Sequence, residues 1–183
     1  MKTTKYLFSG FGGQGILFSG KFLAYKALVE EKNVSWLPSY GPEMRGGTAS
    51  CSVIVSDGNI GSPIIDKTDV LVAMNLPSLD KFESTVVSGG TIILDSSLID
   101  RKVIREDVNA IYIPATRLAT ENNCPTLANM IIVGKLMQVM GEYDEAVIET
   151  TLQKVISAKR ADMLEINKKA IKNAPIRKSD IKR

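Results

Sequence analysis

Phe8-Ser9-Gly10-Phe11-Gly12-Gly13-Gln14-Gly15-Ile16 stands between an apolar run and a long stretch of helical periodicity. Its glycines at 10, 12, 13 and 15 let the backbone turn tightly and approach another group closely. The helix that follows opens with unpaired N–H groups and a partial positive charge. Strand, glycine turn and helix N-terminus in that order make an anion site, and phosphate is the usual occupant. Gly10, Gly12 and Gly15 also satisfy the spacing G-x-G-x-x-G, which gains weight from its place after a strand and before a helix. Tight packing of the helix on the strand is the other reading of the same glycines.

Outward from this loop, strands alternate with helices. Residues 4–9 read as a buried strand, 16–31 as a helix, 34–37 and 49–55 as strands. Residues 70–74 form an apolar run suited to a sheet covered on both faces. A helical pattern over 76–87 is broken by Gly89-Gly90, and strands are expected at 91–94 and 110–113. Three helices close the chain, over 126–140, 144–158 and 160–173, the first apolar nearly all round. This order predicts a three-layer α/β/α domain, Rossmann-like, with a mostly parallel sheet and C-terminal helices. Residues 1–183 are expected to form a single domain, with 174–183 a flexible basic tail.

Composition narrows the chemistry. The chain is 44% hydrophobic and 23% charged, which is globular. A net charge of +3 gives little reason to expect a nucleic-acid surface. There is no histidine, so the commonest general base and metal ligand is missing. Cys51 and Cys124 alone cannot make a zinc or iron–sulfur ligand set. No apolar run reaches membrane-spanning length and no signal-peptide pattern opens the chain, so a cytoplasmic protein without a membrane partner is expected.

A second loop, Pro38-Ser39-Tyr40-Gly41-Pro42-Glu43-Met44-Arg45-Gly46-Gly47-Thr48, is long enough to suggest a purpose. Tyr40, Glu43 and Arg45 are its candidate binding residues. Arg45 is the strongest, because a guanidinium holds phosphate or carboxylate with two bonds. A surface turn closed by a Glu43–Arg45 pair is the alternative. With Gly10, Gly12, Gly13, Gln14 and Gly15, this loop is expected at the sheet edge where ligands bind. Asn75 and Asp95-Ser96-Ser97 follow strands at the same edge, where capping is the competing role. Asn129 lies inside an apolar helix and needs a partner if buried, with a local backbone or loop contact the first expectation. A dinucleotide site would also need a carboxylate at the end of the second strand, and Trp36-Leu37-Pro38-Ser39 has none. No catalytic residue is assigned and no metal site is expected.

The glycine loop, the run from Trp36 to Ala49 and Cys51-Ser52-Val53 together resemble the gamma subunit of 2-oxoacid:ferredoxin oxidoreductases. Ala73-Met74-Asn75, Pro77-Ser78-Leu79, Lys81-Phe82 and Ala128-Asn129-Met130 extend the resemblance across roughly residues 4–160. It implies one part of an enzyme that decarboxylates a 2-oxoacid on thiamine diphosphate, reduces ferredoxin through iron–sulfur clusters and releases an acyl-CoA. Thiamine diphosphate and the clusters would then lie on partner subunits, with coenzyme A at the glycine loop. The resemblance is strongest to the 2-oxoglutarate or general 2-oxoacid type, with branched-chain oxoacids still open. Such a subunit would be inactive alone and could form a homodimer in isolation. A free-standing NAD-type dehydrogenase and a nonenzymatic nucleotide-binding regulator are the alternatives.

Overall fold

Val70, Leu71, Val72 and Ala73 are all buried, without the alternation of a half-exposed strand. They belong to β4 (Thr68–Ala73), which lies inside a six-stranded sheet. The computed structural model describes residues 2–39 and 48–175. The other strands are β1 (Thr3–Phe11), β2 (Asn33–Ser39), β3 (Thr48–Ser56), β5 (Val86–Asp95) and β6 (Asn109–Ile113). Their order is β2-β3-β1-β4-β5-β6. β1, β4, β5 and β6 pair in parallel, and β3 runs antiparallel to both β1 and β2. The expected mostly parallel sheet is therefore present, with β3 the one reversed strand.

The helices are α1 (Ile16–Val29), α2 (Leu76–Phe82), α3 (Ala115–Glu121), α4 (Ala128–Met140), α5 (Glu145–Val155) and α6 (Asp162–Lys172). The layers are unequal. Tyr6, Phe8, Val70 and Val72 face a large core built with α1 and α3 to α6. Leu7, Leu71, Ile92 and Leu94 face a smaller one, closed by α2 and by residues such as Ile99 and Val103. α4 is buried from Ala128 through Met137, as its apolar surround requires.

Some expectations change. Gly89-Gly90 does not end a helix. α2 stops at Phe82, β5 starts at Val86, and both glycines lie within that strand. There the register of β4 on β5 shifts between Thr68 and Val70, and Gly89 takes a φ of 75°. α3 carries no sequence signal, because its seven residues are too short to show a helical period. Of the stretch 174–183 expected as a tail, Ala174 is buried, and the Pro175 carbonyl accepts from the buried Lys135 ammonium at 2.7 Å. Residues 176–183 lie outside the described residues.

Two packing features make this arrangement testable. Gly134 on α4 has no room for a Cβ, which would collide with the backbone carbonyl of Ile171 on α6. Overpacking costs about 1–3 kcal/mol, more than the ~1 kcal/mol that alanine gains over glycine in a helix. Gly134→Ala is expected to lower Tm by several degrees in a thermal melt; an unchanged or raised Tm would contradict the close α4–α6 approach.

On the thinner face, Glu83 is 6% exposed and anchors the chain after β5. Its carboxylate accepts from the Arg101 guanidinium at 2.8 Å and from the N–H groups of Ile104 and Arg105. Burial pushes this carboxyl up, but the bonds from Arg101, Arg105 and Ile104 outweigh it and hold the pKa below the usual range. A depressed carboxylate stabilises the fold above its unfolded pKa, and that contribution disappears as pH falls through the folded value. Glu83→Gln is expected to cost about 1–3 kcal/mol at pH 7. The gap from wild type should narrow in urea titrations as the pH is taken below about 4. A gap that is absent at pH 7, or that widens in acid, would contradict this role.

Candidate functional site

The order in which strands join the sheet reverses between β1 and β4, which are themselves parallel: β2 and β3 lie to one side, β5 and β6 to the other. α1, after β1, packs on one face, and α2, after β4, packs on the other. Open α/β sheets bind ligands at the strand C-termini beside such a reversal. β1 runs through Gly10 to Phe11, and the turn over 12–14 then delivers the chain to α1. The N-cap of α1 is Gly15, in the left-handed region at φ 75°. It has no side chain with which to cap, and no acidic residue stands in the first turn. The first backbone bond into the helix is Ser19 N–H to the Gly15 carbonyl, at 3.0 Å. The N–H groups of Ile16, Leu17 and Phe18 therefore have no acceptor among the described residues.

The glycines divide by role. A Cβ on Gly10 would meet Gln14 Oε1 at 2.6 Å and the Ile16 side chain at 2.7 Å. A Cβ on Gly15 would meet the Asn129 amide nitrogen at 2.5 Å. Packing explains both. Gly13 differs: at φ 90° it has nothing among the described residues within 4 Å of where its Cβ would be. Gln14 turns inward. Its Oε1 accepts from Phe11 N–H at 2.6 Å, and its Nε2 donates to the Met74 carbonyl at 3.1 Å.

The other candidates separate in the same way. Asn75 caps α2, its Oδ1 accepting from Ser78 N–H at 2.8 Å, while its Nδ2 is buried and unpartnered among the described residues. Asp95 takes the capping role. It accepts from Ser97 N–H at 3.0 Å and, on its other oxygen, from the Thr116 N–H and hydroxyl. Tyr40, Glu43 and Arg45 lie outside the described residues. The ends of their loop are placed: Thr48 pairs with Phe11 and Ser39 with Ser50, so both ends stand at the glycine loop's edge of the sheet. Cys51 is buried, donates to the Ile16 carbonyl, and burial pushes its thiol pKa up to about 12. Burial raises Cys124 as well. Neither has the character of a reactive thiolate.

A cleft of about 460 Å³ opens beside the loop, walled by Gly13, Gly15, Phe18, Asn129, Arg160 and Asn167. Asn129 is 3% exposed and Asn167 is 2% exposed. Asn129 Nδ2 donates to the Gly15 carbonyl at 3.2 Å and to Ser19 Oγ at 3.3 Å, contacts with the distant glycine loop and α1 and not with its own helix. Asn167 Nδ2 donates to the Met163 carbonyl at 2.7 Å. Those carbonyls fix which way each amide is turned, and they leave both Oδ1 atoms buried without a partner among the described residues. Arg160 is exposed at the same cleft, and its guanidinium has no ion pair among the described residues. The site thus offers helix N–H donors and one guanidinium for an anion, two acceptors for N–H groups, and apolar walls at Phe18 and Met163. Asn167 and Arg160 carry no sequence signal of this role, since one looks like a polar helix position and the other like part of a basic helix end.

The sequence matches the family described as pyruvate ferredoxin/flavodoxin oxidoreductase over residues 5–175. It is 45% identical over 129 residues to the ketoisovalerate oxidoreductase subunit VorA of Methanothermobacter marburgensis, covering 70% of this chain and 27% of that one. The chain thus spans only about a quarter of that relative's length. It is 37% identical over 134 residues to the 2-oxoglutarate synthase subunit KorC of Methanocaldococcus jannaschii, covering 72% of each. The gamma subunit of keto/oxoacid ferredoxin oxidoreductase from Geobacter sulfurreducens superposes with a TM-score of 0.82 at 25% identity, over 95% of both chains. The 2-oxoglutarate:ferredoxin oxidoreductase of Magnetococcus marinus, solved with 2-oxoglutarate, coenzyme A and succinyl-CoA, shares the fold with a TM-score of 0.85 at 24% identity. That match covers 95% of this chain and 30% of the other. No helix among the described residues is long and apolar enough to cross a membrane. The chain belongs to the pyruvate ferredoxin/flavodoxin oxidoreductase family, as a gamma-type subunit of a 2-oxoacid:ferredoxin oxidoreductase.

Proposed function

We propose that this subunit supplies the coenzyme A site of an enzyme that oxidatively decarboxylates a 2-oxoacid to an acyl-CoA. The observation that carries the reading is the pair of buried, unpartnered amide oxygens, Asn129 Oδ1 and Asn167 Oδ1, in a cleft opening on an uncapped helix N-terminus. Coenzyme A has the matching groups: phosphates for the α1 N–H donors and Arg160, and N–H groups on adenine and on the pantetheine amides for the two asparagines. Its thiol accepts the acyl group when it is bound. The Magnetococcus enzyme, which shares this fold, binds coenzyme A. Tyr40, Glu43 and Arg45, on a loop whose ends reach the same edge, remain candidates for a second set of contacts.

Thiamine diphosphate, the iron–sulfur clusters and the contact with ferredoxin belong, in this reading, to partner subunits. Two cysteines and no histidine are too few for those tasks in this chain. Ile104 and Ile64, 76% and 67% exposed, give partner subunits apolar surface to cover. The oxoacid is 2-oxoglutarate, the compound for which the KorC relatives are named; the higher identity to VorA favours a branched-chain oxoacid as the second reading. A panel of oxoacids assayed with ferredoxin and the assembled enzyme decides between them.

Gly13→Val, the obvious probe of the loop, is a poor one, because φ 90° strains any side chain whatever the ligand does. Asn167→Leu separates the effects. It removes an unpartnered buried acceptor, so the Tm of the ligand-free subunit is expected to hold or rise. The KM for coenzyme A in the assembled enzyme is expected to rise about tenfold. Arg160→Ala, an exposed ionic contact of about 1 kcal/mol, should raise it about threefold to sixfold. KM values unchanged in both variants would overturn the site. Separately, the purified subunit alone is expected to show no oxoacid-dependent dye reduction. Turnover free of partner subunits would contradict the division of labour.

A further inference from the structure

The pairing of β1 with β4 ends in a way that gives Gln14 a role of its own. The strands are in parallel register, with Ser9 opposite Ala73. The last regular rung here is Met74 N–H to the Ser9 carbonyl, at 2.9 Å. In a parallel ladder the next rung joins Phe11 N–H to the Met74 carbonyl. Those two groups instead each bond to the side-chain amide of Gln14: Phe11 N–H to Oε1 at 2.6 Å, and Nε2–H to the Met74 carbonyl at 3.1 Å. One side-chain amide thus stands in for a direct backbone bond, at the point where the order of strands in the sheet reverses. The main chain of the same residue closes the turn, Gln14 N–H donating to the Phe11 carbonyl at 3.3 Å. Gly10 is tied to this arrangement, because a Cβ there would fall 2.6 Å from Gln14 Oε1.

We propose that Gln14 is a positioning residue: by standing in for the rung between Phe11 and Met74 it sets the shape of the glycine loop before ligand arrives, and it acts through the loop's N–H donors without contacting the ligand. The proposal rests on the reading of the adjoining cleft as the coenzyme A site. Gln14→Met keeps length and removes both hydrogen bonds. In the assembled enzyme it is expected to raise the KM for coenzyme A about tenfold while kcat at saturating coenzyme A and the KM for oxoacid stay within about twofold, since the reacting atoms lie elsewhere.

The deciding readout is amide hydrogen exchange of the peptide covering residues 9–16 in the assembled enzyme without coenzyme A. A positioning role makes that peptide exchange at least tenfold faster in Gln14→Met, with the rest of the subunit unchanged. Unchanged exchange with a raised KM would mean that Gln14 touches the ligand, and would overturn the proposal. So would an unchanged KM in Gln14→Met while Asn167→Leu and Arg160→Ala raise it. If none of the three variants moves the KM, the cleft reading itself fails and this proposal with it. Should Gln14→Met not assemble, the wild-type enzyme still decides: Phe11 N–H must be protected without coenzyme A, and free exchange there would contradict the bond to Gln14.

Discussion

The Asn129 amide occupies the place where a side chain on residue 15 would be, and most of the site follows from that contact. It requires glycine at 15, which is free to adopt the left-handed conformation that turns the chain into α1. A glycine N-cap cannot satisfy the helix's first N–H groups, so they remain open to an anion. The same contact fixes the Asn129 amide by its nitrogen, through the Gly15 carbonyl and Ser19, and leaves its oxygen buried and unpartnered. α4 can hold this asparagine in place because it is buried through almost its whole length, pinned to α6 where Gly134 meets Ile171.

A rigid helix layer on one face and a thin cover on the other give the site its asymmetry. The loop is braced from both sides, by Asn129 reaching from α4 and by Gln14 reaching to the end of β4. Between these braces Gly13 meets no other described residue where its Cβ would be, in keeping with a surface shaped for a ligand. In the proposed reading, such a piece serves as a preformed cradle for the ligand. Ordering the loop in advance removes a cost that ligand binding would otherwise carry.

Much of this was legible in the sequence. The strand–glycine–helix order located the loop, the unalternated Val70–Ala73 run indicated a strand covered on both faces, and the apolar surround of Asn129 marked it as needing a partner. What remained hidden was hidden for physical reasons. α3 spans seven residues, too few for a period to show. Gly89-Gly90 looked like a helix break because a bulge within a strand and the end of a helix use the same residue type. Gln14 reads in the sequence as a candidate binding residue, and its bonds across the end of β1 and β4 become visible only from the strand register. Arg160 and Asn167 reach the cleft through the packing of the C-terminal helices against α1 and α4, which no local pattern encodes.

The central claim is that the ligand lies between the glycine loop and the C-terminal helices of this subunit. A structure of the assembled enzyme with coenzyme A tests it most directly. The account requires phosphate density against the N-terminus of α1 and ligand nitrogen atoms within hydrogen-bond distance of Asn129 Oδ1 and Asn167 Oδ1. Coenzyme A bound wholly on another subunit, with no ligand density between Gly13 and Arg160, would contradict it.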